Sequence, residues 1–343
     1  MRLISELRQD IVSGDWVVIA TGRAKRPHEF LKQKHSPFNQ SKKTCPFEKR
    51  HEDALSVYSL DGGPARRSLG EGGRGKDNWW VEVIPNKYPA FSSGTCYFSN
   101  RRGPYQWTEG VGSHEVVITR DHERSLAQMS NEEVELVLRA YQDRYLVLKN
   151  SECVEYISIF HNHGRLSGAT LTHPHSQIIA IPVIPPDIGR SIAGSAAYFH
   201  KHKACIHCLV LRYELKIKER IVYENEQVVV IAPYASKTAF EIRVFPKKHS
   251  PHFESMRIEE RLSLADALRA ALAKLFQGLK NPDYNFFVHT APTSDTQEFH
   301  HYHWHLEILP KTSIWAGFEI GTGIEISTIK PEEVAKFLSK IKV

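Results

Sequence analysis

The stretch NHGRLSGATLTHPHSQ, from Asn162 to Gln177, is the most informative part of the chain. Side chains two positions apart in a strand point to the same side, so His173, His175 and Gln177 would project two imidazoles and a carboxamide from one surface. Imidazole is a good nucleophile toward phosphorus, and the group that it captures can be passed on. The glycines of the stretch would let backbone N–H groups approach phosphate oxygens. The pattern therefore predicts a strand that performs covalent chemistry on a phosphoryl group.

The order of elements around this strand occurs twice along the chain. Each half is expected to contain a strand, a long helix and two further strands, preceded by a Cys-x-x-Cys or Cys-x-x-Glu element. The expected strands are 16–20, 79–84, 114–119, 156–161, 176–181, 240–245, 284–289 and 302–309, and the expected helices are 130–149 and 258–279. We therefore predict an α+β fold of two repeated units, with antiparallel sheets and helices packed on them, and divide the chain into residues 1–190 and 191–343.

The composition is that of a folded protein, with 343 residues, of which 41% are hydrophobic and 24% charged. The net charge of +6 is dispersed along the chain, which favours small anionic ligands over nucleic acid. No apolar run approaches the roughly 18 residues that a membrane span needs, and the first ten residues alternate charged with apolar side chains, unlike a signal peptide. We expect a soluble, cytoplasmic protein.

Cysteine and histidine usage points to metal ligands. The 5 cysteines are an odd number in a chain without a secretion signal, so we expect no disulfide framework, and Cys153 is expected to pack within a strand. The 19 histidines are clustered, which is typical of metal or phosphoryl chemistry.

A series of motifs spans nearly the whole chain. In order, they are GDWVVIA (14–20) with RAKRP (23–27), CPF (45–47), PNKYPAF (85–91), RDH (120–122), HPHSQ (173–177), PKKH (246–249), HWH (303–305) and AGFE (316–319). This ordered set resembles the galactose-1-phosphate uridylyltransferase family, the transferase branch of the histidine-triad superfamily. The resemblance implies that the two repeated units are histidine-triad-like and that the protein is a homodimer.

The resemblance also implies roles for individual residues. His175 matches the nucleophile that becomes nucleotidylated, and His173 matches a zinc ligand whose backbone orients the His175 ring. Matches to contacts with the nucleotide phosphates are Asn162, Gly168, Thr170 and Gln177, although the family often has Ser at the position of Thr170. Arg23 and Arg26 match basic residues near the phosphates. Asn86 matches a contact to the nucleoside. Phe318 and Glu319 match residues that read hexose hydroxyls from the partner subunit.

Two zinc sites follow from the same resemblance. The C-terminal metal group is Cys205, Cys208, His249 and His303. Two thiolates and two imidazoles suit a closed, structural Zn²⁺ site, which we expect to be firm. The N-terminal metal group is Cys45, Glu48, His122 and His173. It has a carboxylate where zinc-binding relatives have a second cysteine, so we expect a weaker site.

The activity implied is a double displacement. His175 would take the uridylyl group from UDP-glucose, and galactose 1-phosphate would accept it, as in galactose metabolism. The partners are thus a nucleotide sugar and a hexose 1-phosphate, with no nucleic acid and no membrane. A close alternative is an ADP-glucose phosphorylase, which transfers adenylyl to phosphate. An alternative of another class is a non-catalytic, zinc-stabilised nucleotide- or RNA-binding protein, for which steeply salt-dependent RNA binding would be the signature.

Overall fold

The computed structural model of the chain describes residues 5–23, 40–49, 51–62, 78–96, 100–294 and 298–343. The strands in these ranges are β1 (Glu6–Gln9), β2 (Trp16–Ile19), β3 (Ser56–Ser59), β4 (Trp79–Pro85), β5 (Asn100–Arg102), β6 (Tyr105–Trp107), β7 (Ser113–Thr119), β8 (Tyr156–His163), β9 (His175–Ile181), β10 (Ile221–Glu224), β11 (Val228–Ile231), β12 (Ile242–Pro246), β13 (Tyr284–His289), β14 (His305–Pro310) and β15 (Glu325–Ser327). The α-helices are α1 (Asn131–Leu148), α2 (Pro186–His202), α3 (Ile206–Ile217), α4 (Ile258–Leu279), α5 (Gly317–Thr322) and α6 (Pro331–Leu338).

One ten-stranded sheet organises the fold, in the order β10-β11-β12-β14-β13-β8-β9-β7-β4-β3. All of its neighbouring strands are antiparallel, which confirms the expected α+β class. The five strands from the first half have the same order, counted from the edge, as the five from the second half. The halves meet where β8 pairs with β13, with Phe160 opposite Phe287. The chain therefore builds one continuous sheet across the expected division at residue 190.

The two long helices, α1 and α4, cover one face of this sheet. The hydrophobic core lies between these helices and the sheet. It includes Val117, Ile178 and Phe286 from the strands and Leu138 and Leu268 from the helices. Both helix starts match the expected positions, and the start of α1 is held by the reciprocal bonds of a capping box at Ser130. Among the helices of the described ranges, none has both the length and the apolar character that crossing a bilayer requires.

Side chains that alternate with this core project from the opposite side of the sheet, which we call the open face. His175 and Gln177 lie on the open face, because Ser176 and Ile178, on either side of Gln177, face the helices. A smaller sheet, β1-β2-β15, joins the two ends of the chain, and its β2–β15 pair is parallel. Strand β15 and helices α2 and α3 were not expected from the sequence.

The expectation of no disulfide is wrong for one pair, Cys96 and Cys153, which are bonded with their Cα atoms 5.7 Å apart. Cys153 lies in the turn between α1 and β8 with φ at 65°, and not within a strand as expected. The segment that contains Cys96 is brought to this turn by a bridge between Ser92 and Val111, just before β7. The other cysteines, Cys45, Cys205 and Cys208, are free.

Candidate active site and metal groups

His175 is the first residue of β9 and is buried on the open face. Its Nδ1–H donates to the carbonyl oxygen of His173 at 2.8 Å, and its ring packs edge-on against Phe47 with centroids 5.1 Å apart. Because the proton is on Nδ1, the lone pair is on Nε2, which has no hydrogen-bond partner among the described residues. Burial lowers the pKa of His175, although the bond to the His173 carbonyl opposes this, so the ring is neutral at pH 7.

The loop between β8 and β9 takes its shape from two glycines. Gly164 and Gly168 have φ of 82° and 90°, which side-chain-bearing residues rarely adopt. A Cβ at Gly164 would lie 2.1 Å from the carboxylate of Asp283, and the same carboxylate accepts the Leu166 N–H at 2.6 Å. Asp283 therefore fixes the loop through a contact that only glycine permits at position 164.

The expected phosphate contacts lie along this loop and strand. Asn162, at the end of β8, is on the open face, where its Oδ1 accepts a hydrogen bond from Asn285 at 2.7 Å. Asn285 also donates to the carbonyl of Ser167 at 2.9 Å, so this side chain connects β13 to the loop. Thr170 and Gly168 are exposed on the loop. Asn285 and Asp283 were missed by the sequence analysis because nothing local connects them to a loop more than a hundred residues earlier.

The side chain of Gln177 contacts β7, the neighbour of β9 on the side opposite β8. Its Oε1 lies 2.7 Å from Nε2 of His114, on β7. The expected nucleoside contact, Asn86, is at the same point, with its Nδ2 3.0 Å from Nε2 of His114. The structure thus brings Asn86 and Gln177 together around His114, a residue that the sequence analysis did not place among the site residues.

The N-terminal metal group is assembled with its metal-binding atoms converging. Nδ1 of His173 lies 3.2 Å from Nδ1 of His122 and 3.6 Å from Sγ of Cys45. Oε1 of Glu48 is 3.0 Å from Nδ1 of His122 and 3.6 Å from Nδ1 of His173. Each imidazole donates its Nε2–H to a backbone carbonyl, His122 to Gln40 at 3.0 Å and His173 to Thr119 at 2.6 Å.

The hydrogen bonds from Nε2–H to the backbone carbonyls determine which ring nitrogens are free to bind a metal ion. With the protons on Nε2, both Nδ1 atoms carry lone pairs that face each other and a carboxylate oxygen, an arrangement that is repulsive without a cation. Burial also lowers the pKa of His173 to about 4, so this ring does not supply the missing positive charge itself. The donor set of one sulfur, two nitrogens and one oxygen therefore fits a metal ion such as zinc.

The C-terminal metal group has the same design. The donor atoms of Cys205, Cys208, His249 and His303 all lie within 4.8 Å of one another. Sγ of Cys208 is 3.4 Å from Nδ1 of His249 and 3.5 Å from Nδ1 of His303. Again the Nε2–H groups donate to carbonyls, at 2.8 Å to His300 and at 3.0 Å to Pro246. Four soft or borderline donors and no open position fit a closed structural site.

The second half has a counterpart of His175 that is enclosed. His305 begins β14 and its Nδ1–H donates to the carbonyl of His303 at 3.2 Å. Where the first half has Gln177, the second has Glu307, whose Oε1 pairs with Arg243 at 2.9 Å. His289, His305 and Glu307 also form a close cluster of potential metal ligands. In the second half, a buried ion pair of Glu307 and Arg243 thus occupies the position that corresponds to Gln177.

Four further expected substrate contacts, Arg23, Arg26, Phe318 and Glu319, stay predictions. Arg23 ends a short turn, and Arg26 lies outside the described residues. Phe318 and Glu319 are on α5, where Phe318 is 48% exposed and Glu319 accepts a hydrogen bond from Ala316 N–H at 3.1 Å.

Comparisons with known proteins identify relatives that span nearly the whole chain. A family model described as galactose-1-phosphate uridyl transferase, N-terminal domain, matches residues 2–185, and one described as a domain of unknown function matches residues 108–341. An ADP-glucose phosphorylase of Arabidopsis thaliana is 33% identical, covering 98% of this chain and 93% of the relative. A galactose-1-phosphate uridylyltransferase of Thermotoga maritima is 28% identical, covering 98% and 99%. A crystal structure of an ADP-glucose phosphorylase from Arabidopsis thaliana with bound ADP-glucose superposes with a TM-score of 0.79 at 31% identity, covering 99% of this chain and 100% of that one.

Proposed function

The chain belongs to the galactose-1-phosphate uridylyltransferase family, and from that premise we propose that it transfers a nucleotidyl group from a nucleotide sugar by way of His175. The observation that carries the proposal is the hydrogen bond from Nδ1 of His175 to the His173 carbonyl. It leaves Nε2 as an unprotonated nucleophile and holds the ring in one orientation. Family membership also favours an enzyme over the alternative of a non-catalytic binding protein.

The first half-reaction follows from these atoms. Nε2 of His175 attacks the α-phosphorus, a nitrogen–phosphorus bond forms, and the bond from that phosphorus to the bridging oxygen breaks. Sugar 1-phosphate leaves with both electrons of the broken bond. The imidazole becomes cationic, and the His173 carbonyl stabilises the proton on Nδ1. Gln177, Thr170 and the backbone of the Gly164–Thr170 loop would donate to the non-bridging oxygens, because positioning and electrostatics carry most of a phosphoryl transfer.

The second half-reaction defines the specific activity. We assign it to galactose 1-phosphate, whose phosphate oxygen would attack the uridylyl-histidine and release UDP-galactose. Adenylyl transfer from ADP-glucose to inorganic phosphate is the second candidate, and the observation that favours it is the 33% identity to an ADP-glucose phosphorylase over 98% of the chain. Both activities would use the same chemistry in the first half-reaction, with glucose 1-phosphate leaving, and would differ in the nucleotide base and in the acceptor.

Zinc would be held by the two metal groups. At the N-terminal group a bound ion would anchor His173, and so the carbonyl that orients His175, while taking no part in bond making. At the C-terminal group it would tie the start of α3 to β12 and β14 and contribute to stability.

A homodimer would complete the site. The segment around α5 exposes Ile314, Trp315, Phe318 and Ile320 by 84%, 51%, 48% and 73%, an apolar surface suited to contact with a second copy. Phe318 and Glu319 would then reach the hexose in the partner's site. Mixing His175→Ala protein with Glu319→Ala protein should restore activity to one site of each mixed dimer, whereas a mixture that stays inactive would contradict shared sites.

The central test is adduct formation. Incubation with UDP-glucose or with ADP-glucose, followed by intact-mass measurement, should give a covalent uridylyl or adenylyl adduct from the true donor alone. His175→Ala should fold and form no adduct. An adduct on the His175→Ala protein, or none on the native protein with either donor, would disprove the proposed mechanism.

A further inference from the structure

The contact between His114 and Gln177 is not used by the chemistry described above. His114 is on β7, on the open face, and lies diagonally across the sheet from Gln177, since Val116 is the residue directly opposite Gln177. Nε2 of His114 is 2.7 Å from Oε1 of Gln177. The histidine therefore contacts the side chain that would donate to the phosphate, and does not contact the site of bond formation itself.

The position of the proton on His114 is set from its other side. The backbone N–H of Ala90 donates to Nδ1 of His114 at 3.2 Å, so Nδ1 must carry the lone pair. A neutral imidazole then has its single proton on Nε2, where it can only be donated. Oε1 of Gln177 is the acceptor that lies within reach.

This bond determines which end of the Gln177 carboxamide faces the substrate. With Oε1 held by His114, the NH₂ group points away from β7, and it has no hydrogen-bond partner among the residues that the structure describes. If the amide rotated by half a turn, its oxygen would face the phosphate and repel it. A carboxamide has no intrinsic preference between these two orientations, so the neighbour decides.

The amide of Asn86, at the same point, does not compete with Gln177 for this proton. Its Oδ1 accepts the N–H of Tyr88 at 2.9 Å, so its NH₂ group is the end that approaches Nε2 of His114 at 3.0 Å. An NH₂ group cannot accept the proton on Nε2, so Gln177 is its acceptor and the Asn86 amide keeps its protons for a ligand.

We propose that His114 is a positioning residue that fixes the Gln177 carboxamide with its NH₂ group toward the α-phosphate of the nucleotide sugar. The inference rests on the proposed function. In the transition state of nucleotidyl transfer, a donor held in place costs no reorganisation, whereas a carboxamide free to rotate must first be ordered.

Three substitutions separate positioning from a merely structural role. His114→Phe removes both hydrogen bonds. His114→Asn keeps an acceptor near the Nδ1 position for Ala90 N–H but does not reach Gln177, whereas His114→Gln places an NH₂ donor near the Nε2 position and gives up the bond to Ala90. The measured quantity is the single-turnover rate of nucleotidyl-His175 formation, with folding checked by circular dichroism and His202→Gln, on the surface of α2, as the matched control.

Positioning predicts that His114→Phe and His114→Asn slow adduct formation roughly 10- to 100-fold, and that His114→Gln recovers most of the rate. It also predicts that the double variant Gln177→Ala with His114→Phe forms the adduct no more slowly than Gln177→Ala alone, because His114 acts through Gln177. The inference would be overturned if His114→Asn recovered the rate and His114→Gln did not, or if the losses in the double variant were additive. The comparison of His114→Asn with His114→Gln decides the question even if the His114→Phe protein does not fold. Absence of an adduct on the native protein overturns the proposed function as well, whereas a normal rate in His114→Phe overturns this inference alone.

Discussion

The carbonyl oxygen of His173 accepts the Nδ1–H of His175 at 2.8 Å, while the side chain of His173 belongs to the N-terminal metal group. One residue therefore connects the metal group to the nucleophile, through its side chain on one side and its backbone on the other. Displacing the His173 ring would move the carbonyl that aligns His175. Metal binding at this group is thus expected to influence catalysis through orientation of a ring.

Glu48 gives the first test of this connection. Glu48→Ala should release zinc more readily to a chelator and slow adduct formation, because the carboxylate that faces both imidazoles is lost. Glu48→Cys should tighten zinc binding and keep activity, because a thiolate is a softer ligand. Chelator competition with zinc detection measures the affinities, and Glu52→Ala, a nearby exposed position, is the control. Equal zinc affinity in the native and Glu48→Ala proteins would exclude the carboxylate as a ligand.

The C-terminal metal group should affect stability more than chemistry. Cys208→Ser removes one of four ligands, so we expect the melting temperature to fall by roughly 5 °C or more while adduct formation is retained below that temperature. Chelation of the native protein should lower its melting temperature by a similar amount and should shift the Cys208→Ser protein much less. If chelation left the native melting temperature unchanged, a structural role for this group would be ruled out.

Glu332, in the first turn of α6, predicts a pH-dependent contribution to stability. It accepts hydrogen bonds from Arg8 at 3.0 Å and from Arg220 at 2.7 Å, and so joins β1 to the C-terminal helix. Burial alone would raise the pKa of Glu332, but the bonds from Arg8 and Arg220 outweigh it and hold the pKa below its ordinary value of 4.5. An acid with a lowered folded-state pKa stabilises the protein above pH 4.5, and the stabilisation is lost as the pH falls through the folded-state value.

Glu332→Gln should accordingly lower the free energy of unfolding by about 1–3 kcal/mol at pH 7. The difference from the native protein should stay constant down to about pH 5 and shrink at lower pH, as followed by urea unfolding at several pH values. Glu333→Gln, the exposed neighbour on the same helix, should change little. A difference that is the same at pH 7 and at pH 3.5 would argue against an ionic contribution.

Two glycine-to-alanine substitutions should have opposite effects. At Gly164, the φ of 82° and the 2.1 Å approach to Asp283 predict a loss of roughly 1–3 kcal/mol and a displaced loop beside His175. At Gly189, within α2, an added Cβ meets no atom of the described residues within 4 Å, so alanine should gain roughly 0.5–1 kcal/mol through helix propensity. Thermal unfolding measures both. Equal shifts in the two proteins would mean that the loop tolerates a side chain at position 164.

Local patterns predicted the long elements of the fold. Helix α4 has the expected bounds of 258 and 279. The predicted strand alternation holds for His175 and Gln177, which share one face, whereas His173 precedes the strand. These predictions succeed because helix periodicity, capping and strand alternation depend on neighbouring residues.

Features that depend on distant partners could not be predicted in this way. Helix α2 contains Gly194, which a local argument counts against a helix. In the fold, a Cβ there would lie 1.8 Å from the carbonyl oxygen of Val12, so the glycine allows the N-terminal turn to approach. His114 and Gln177 are likewise 63 residues apart, and only the pairing of β7 with β9 brings them into contact.

The pairing of β8 with β13 also limits how this chain can be divided. A fragment ending near residue 190 would keep the five strands around His175, but the backbone groups of residues 159–163 would lose their partners at 284–288. An unpaired strand of this kind invites another chain to add to it, so isolated halves should aggregate or pair with each other. Co-expressed halves are expected to reassociate along this seam, whereas either half made alone is expected to be insoluble.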